Sequence, residues 1–180
     1  LEYGAEIIYY LLDRGTVSPF GEISQRRTVE LGTDRGIESA LFITGSYGVT
    51  RRMKLNLGIR YMLFTPVGPA ETFQYSSGAP RDPRYIEDSL TFGKGSIIRW
   101  YHEPEIRASL NFATDNNGSL KLAFNQMHQN LFMLNTITSV APNTQWKLAD
   151  YHLHPSGSNQ MSIGLFRTFP NRGLEFSAES

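Results

Sequence analysis

The sequence predicts an all-β chain, an antiparallel up-and-down meander of about seven strands that turns an oily face to lipid. Three observations carry this reading. Apolar residues recur at every second position in seven stretches, and successive side chains of a strand point to opposite faces. The connections between the stretches run long, short, long, short, long, short. No stretch within the strand regions shows the 3.6-residue apolar stripe with caps that marks a helix.

The strands fall near 3–12, 37–49, 53–64, 105–114, 119–134, 160–169 and 174–179. The first is the noisiest, with Ala5, Ile7, Tyr9 and Leu11 opposing Gly4, Glu6, Ile8 and Tyr10. The second sets Leu41, Ile43, Tyr47 and Val49 against Glu38, Thr44 and Ser46, and the short turn 49–52 follows. In the third, Met53, Leu55, Leu57, Ile59, Tyr61 and Leu63 oppose Lys54, Asn56, Gly58, Arg60, Met62 and Phe64. Ile106, Ala108, Leu110 and Phe112 oppose Arg107, Ser109 and Asn111 in the fourth. The stretch 115–118 then offers an Asn-Gly pair, which favours a tight hairpin. Leu120, Leu122 and Phe124 oppose Ser119, Lys121, Ala123 and Asn125 in the fifth, while Gln126 and His128 break the pattern and read as lying beyond the bilayer. The sixth carries Ile163 and Leu165, but also Arg167 on the same side, close to the turn 170–173, where a long stem reaches head groups. The seventh sets Leu174, Phe176 and Ala178 against Glu175, Ser177 and Glu179.

In a meander, every second connection falls at the same end. All the short turns therefore lie at one end, and the long loops 13–36, 65–103 and 135–159 at the other. Membrane barrels have this asymmetry, and unstructured loops of such length are uncommon in compact domains. An antiparallel soluble sheet with one wet face gives the same alternation, so the loops decide between the two. Mean hydropathy is −0.32, and no run reaches the ~18 apolar residues of a membrane helix, a test to which alternating strands are invisible. Lys plus Arg and Asp plus Glu total 17 each. That balance gives no electrostatic argument for nucleic acid. With no Cys, there is no disulfide framework and no thiolate metal site. The chain begins and ends inside alternating runs, LEYGAEIIYYLL and GLEFSAES, so it reads as one part, 1–180, of a single larger β-barrel domain.

The stretch 99–169, RWYHEPEIRASLNFATDNNGSLKLAFNQMHQNLFMLNTITSVAPNTQWKLADYHLHPSGSNQMSIGLFRTFP, resembles the C-terminal barrel region of TonB-dependent outer-membrane receptors, of the type found in Bacteroides-like bacteria. A strand opening with PEIR, an Asn-Gly turn, a strand ending NQMHQN and a loop carrying PNTQW carry the likeness; ESALFITGSYGVTRRMKLNLGIRYMLFTPVGP adds to it. The resemblance implies a segment of a barrel of about 22 strands in the cell outer membrane, plugged by another domain of the same protein. It implies active nutrient uptake driven by a TonB energy-transducing complex that contacts a missing N-terminal part, no cofactor and no catalysis. The plug, the TonB box, a signal peptide and the closing strand lie outside these residues. A surface lipoprotein is a further partner of the type.

Arg60, Arg107, Asn111, Lys121 and Asn125 are expected to face the lumen, against the plug or along a ligand path. Trp100, Tyr101, His102, Trp146, His152 and His154 are the outer-loop residues that could meet a ligand. Tyr61, Phe64, Phe132 and Tyr151, near the outer strand ends, fit an aromatic girdle. His102 with Glu103 and Glu105, and Asp150 with His152 and His154, place metal-ligating types together without a third ligand at known spacing, so no metal site is assigned. Gly93-Lys94-Gly95-Ser96 lacks the spacing and the following helix of a phosphate loop. Two other functions stay open: an outer-membrane barrel enzyme, whose rim would need His102, Glu105, Asp150 and His152, and a soluble carbohydrate-binding β-sandwich.

Overall fold

The structure, a computed structural model, describes residues 1–19, 27–115, 117–135 and 144–180. Among the described residues there are thirteen strands and no α-helix. They are β1 (Glu2–Asp13), β2 (Thr16–Val17), β3 (Val29–Glu30), β4 (Thr33–Thr50), β5 (Met53–Pro66), β6 (Ala70–Tyr75), β7 (Ile86–Phe92), β8 (Tyr101–Asp115), β9 (Gly118–Gln129), β10 (Leu131–Asn135), β11 (Thr144–Leu148), β12 (Ser156–Phe169) and β13 (Leu174–Glu179). Seven form one sheet in the order β1-β4-β5-β8-β9-β12-β13, with every neighbouring pair antiparallel. This is the expected meander of seven strands. The sheet is open: β1 and β13 form its two edges.

Three short connections close β4 to β5, β8 to β9 and β12 to β13 at one end of the sheet. The last is a 3-10 turn, Pro170–Arg172, ended by Gly173 at φ +59°, a left-handed conformation that glycine adopts at little cost. The three long connections are not plain loops, and the sequence reading needs correcting here. Each contains a hairpin of its own: β2–β3, β6–β7 and β10–β11. The predicted strand 119–134 is two strands. Asn130 interrupts it, and β10 leaves the sheet to pair with β11. Several sheet strands also start earlier than expected, β4 at Thr33, β8 at Tyr101 and β12 at Ser156, because their ladders continue past the lipid-like alternation into the loop end.

The register sorts the side chains. Straight across the sheet run the rows Tyr3, Ile43, Ile59, Ile106; Leu57, Ala108, Phe124, Met161; and Leu55, Leu110, Leu122, Ile163. These rows carry no charge. Asp13, Arg35, His102, His128 and Arg167 share their parity and lie toward the strand ends. The other face reads Glu2, Thr44, Gly58, Arg107, Asn125, Gln160 and Ser46, Asn56, Ser109, Ala123, Ser162. The apolar rows are not a core. Ile7 is 77% exposed, Ile59 57% and Met161 80%, and among the described residues no second sheet lies over them. The protein exposes 13275 Å², against about 8,800 Å² for a compact globule of its mass.

Among the described residues, the one substantial core lies elsewhere, on the polar-face parity at the long-loop end. Phe64, Tyr101, Leu148 and Ala149 are buried together, with Tyr10, Leu12, Leu131 and Phe132 packed against them. Leu148 and Leu131 come from β10–β11, so this hairpin folds back from β9 across the sheet to β1 and β4. Phe64 is fully buried, which corrects its expected place in an aromatic girdle. Its ring covers Gly36 of the neighbouring strand, where a Cβ would stand 2.8 Å from Cζ. Any larger residue would push the ring off the sheet.

Candidate functional site

The polar face is a continuous hydrogen-bonded surface, and it tightens toward the long loops. Near the short turns, Ser46 bonds Asn56, whose Nδ2 donates to Ser109 Oγ at 2.9 Å. All five residues expected on the lumen side lie on this face: Arg60 opposite Glu105, Arg107 opposite Asn125 and Asn111 opposite Lys121. Arg107 and Lys121 are exposed; Asn111 and Asn125 are half-buried.

Farther along, Glu38 is buried and anchors the face. It accepts from Arg60 Nη2 at 2.9 Å, Tyr10 OH at 2.9 Å and Asn130 Nδ2 at 3.0 Å, while Arg60 also reaches Glu6 at 3.0 Å. A buried carboxylate with three donors is tolerated where an unpaired one would not be. Glu105 is buried too. The β8–β9 ladder ends at Arg107–Asn125, and Glu105 Oε1 accepts the freed backbone N–H of His128 at 2.7 Å. The His128 ring lies 3.1 Å from Glu103 and 3.7 Å from Glu105. Sequence reasoning did not find this group, because Gln126 and His128 read only as breaks in an alternating pattern.

The long loops are stitched to one another. Asp34, at the start of β4, accepts from Lys147 Nζ at 3.0 Å and Leu148 N at 3.3 Å, and Arg14 Nε stands 3.4 Å away. Lys147 also pairs with Asp150 at 2.9 Å. Burial pushes the Asp150 carboxyl up, but the Lys147 ammonium and the N–H groups of Leu153 and His152 outweigh it and hold the group below the usual carboxylate range. The ring of His152 bonds the Phe73 carbonyl at 2.7 Å, and Arg81 reaches the His152 carbonyl at 3.5 Å, so the third long connection is tied to the second.

The outer-loop candidates divide. Tyr101 is the first residue of β8 rather than a loop residue; it is buried, and its OH donates to the Asp150 carbonyl. Its ring faces His154, with centroids 5.3 Å apart, and Arg99 stacks over it at 5.5 Å. His152 packs on Tyr75 and Tyr151. Trp100 and Trp146 are half-exposed, Trp146 beside Met133 on the β10–β11 hairpin. His102 stands apart on the opposite face, where its Nδ1 meets Tyr61 OH at 2.7 Å. The sequence cluster of His102 with Glu103 and Glu105 is therefore split by the strand, since alternate side chains point away from each other. Among the described residues, no three His, Asp or Glu side chains are grouped to hold a metal ion. Gly93–Ser96 forms a plain turn closed by Ser96 N to the Gly93 carbonyl at 3.0 Å.

No family model, no curated protein and no solved structure matches this chain.

Proposed function

We propose that the chain is a wall segment of a TonB-dependent outer-membrane transporter for active nutrient uptake. The supporting observation is the set of apolar mid-sheet rows, which carry no charge and which no other layer covers among the described residues. Exposed contiguous apolar patches beyond a few hundred Å² mark a surface that meets lipid or a partner. The alternate residues Met53 to Leu63 of β5 span about 33 Å along the strand, or about 24 Å at a 45° tilt, which fits the apolar band of about 25 Å on membrane barrels. The polar face, with its buried Glu38–Arg60 and Glu105 groups, would line the interior against the plug. The stitched long loops would face outward to meet the nutrient. The open edges at β1 and β13 would pair with further strands of the same wall, because open edges are not tolerated in hydrocarbon.

Cell fractionation of the full-length protein tests the reading. Retention in the outer membrane through alkaline extraction, with migration on gels that changes on heating, is expected. In-cell cross-linking to the TonB protein tests the energised part. Recovery in the soluble fraction would overturn the membrane assignment. Membrane retention without any TonB adduct would overturn active transport and leave a passive barrel.

A further inference from the structure

Two arginines, Arg51 and Arg52, form the tip of the β4–β5 hairpin, between the paired residues Thr50 and Met53. Turn chemistry does not call for them, since Gly, Pro, Asn, Asp and Ser are the residues with a conformational reason to be there. The backbone of the tip is fixed: Thr50 Oγ1 accepts the N–H of Arg52 at 3.2 Å, and the Arg52 carbonyl accepts from Ala113 at 2.7 Å. Both side chains are exposed. The β12–β13 turn repeats the feature. Pro170 and Gly173 suit its geometry, whereas Arg172 is exposed and has no such role. Among the described residues, none of these three guanidinium groups has an ion-pair or hydrogen-bond partner. The acid of the middle turn, Asp115, is already engaged: it accepts the Asn117 N–H at 2.9 Å and pairs with Arg167 at 3.3 Å. Arg167 is half-exposed on the apolar parity and stacks over Phe169 at 5.7 Å. The other charges near the turns, Lys54, Lys121, Glu175 and Glu179, fall on the polar-face parity. At the long-loop end, by contrast, charges of both signs are matched in the chain Arg14, Asp34, Lys147, Asp150.

We infer that the short-turn end is a docking surface for anionic phospholipid head groups, with Arg51, Arg52 and Arg172 meeting their phosphates and Arg167 joining them from the apolar face. A guanidinium grips a phosphate with two parallel hydrogen bonds. The place of these cations is what selects lipid over an acidic polypeptide. They stand just beyond the last full apolar row, Met53, Phe112, Leu120, Leu165. The exposed pair Phe169 and Leu174 reaches the same level. With strands about 4.8 Å apart, the two arginine-bearing tips lie about 19 Å from each other along that boundary. Hydrocarbon on one side of a line and phosphate on the other is the chemistry of a bilayer surface, where long cationic side chains reach out to the head groups. The inference rests on the membrane part of the proposed function and not on TonB.

Electron spin resonance of the full-length protein in phosphatidylcholine bilayers tests it, with spin-labelled phosphatidylglycerol and spin-labelled phosphatidylcholine as the probes. The protein should immobilise the phosphatidylglycerol label at least twofold over the other, and added salt should reduce that preference. Arg51→Gln, Arg52→Gln and Arg172→Gln in one chain should bring the ratio close to one. The corresponding triple Lys variant should keep it, because charge rather than turn shape is at work. Heat-modifiable migration on gels controls for folding in each variant. No preference in the natural protein, or an unchanged preference in the Gln variant, would overturn the inference; the second result would leave the cations to an acidic protein partner. A protein that resists alkaline extraction from the bilayer but shows no preference keeps the membrane reading and loses this one. A protein that is extracted, yet still floats with phosphatidylglycerol vesicles through the three arginines, does the opposite.

Discussion

Ile59 and Phe64 lie five residues apart on β5, and their environments are opposite. Ile59 sits mid-sheet and is 57% exposed; Phe64 sits at the loop end and is fully buried. The strand continues straight through both. What changes is the layer above: the β10–β11 hairpin folds over the polar-face parity at the loop end, and among the described residues nothing covers the apolar rows. One region is held by the protein's own packing. The other is finished only by its surroundings, and the sheet holds together there by its ladders.

The sharpest break in that comparison is Phe64→Ala. Removing a fully buried aromatic from the loop-end core should cost about 3–5 kcal/mol, read as a lower urea midpoint for the protein in phospholipid vesicles. A loss below 1 kcal/mol would mean that the loop-end core does not carry the fold. Arg60→Ala should cost about 3 kcal/mol in the same assay, because it leaves Glu38 buried with only Tyr10 and Asn130 as partners. In the other region, depth should matter. Ile59→Arg should cost about 2–4 kcal/mol, and Leu174→Arg, beside the last short turn, about 0–1 kcal/mol. Equal costs at the two positions would say that no hydrocarbon lies between them.

The smallest effect concerns pH. Asp150 has a folded-state pKa below its unfolded value, so the stability it contributes is present above the unfolded value of about 3.9 and is lost as pH falls through the lowered folded value. Hydrogen exchange at residues 147–153 should therefore be more protected at pH 6 than at pH 3, after correction for intrinsic rates. Asp150→Asn should flatten that difference. An unchanged slope in the variant would remove Asp150 from the stitching of the loops.

The mid-sheet was legible in the sequence because period-2 alternation is the only signal a half-covered strand needs. All seven sheet strands and all three short turns follow from it. The loop end was not legible, for three physical reasons. Strands such as Thr16–Val17 and Leu131–Asn135 are too short to show a period. Glu38 and Glu105 are buried by long-range partners, Arg60 and the backbone N–H of His128, and a charge in a sequence carries no mark of such a partner. Phe64 falls on the polar parity, where it reads as an outer-rim aromatic until a hairpin from about seventy residues away is placed over it. The five residues expected to face the lumen share the polar face, because register alone decides the side of the sheet on which they lie. Tyr101 was misplaced because its strand begins four residues before the alternation does.

The face assignment has a direct test, and these 180 residues contain no cysteine of their own to compete with an introduced one. Nitroxide labels on single cysteines at Leu57, Ile59, Leu110 and Ile163, and at Asn56 and Ser109 on the other face, would report accessibility to oxygen and to a water-soluble nickel complex in the membrane-embedded full-length protein. The first four should collide with oxygen and be shielded from nickel, most strongly at mid-sheet, while Asn56 and Ser109 show the reverse. Nickel access at Leu57 and Ile59 equal to that at Asn56 would mean that water bathes both sides of the sheet.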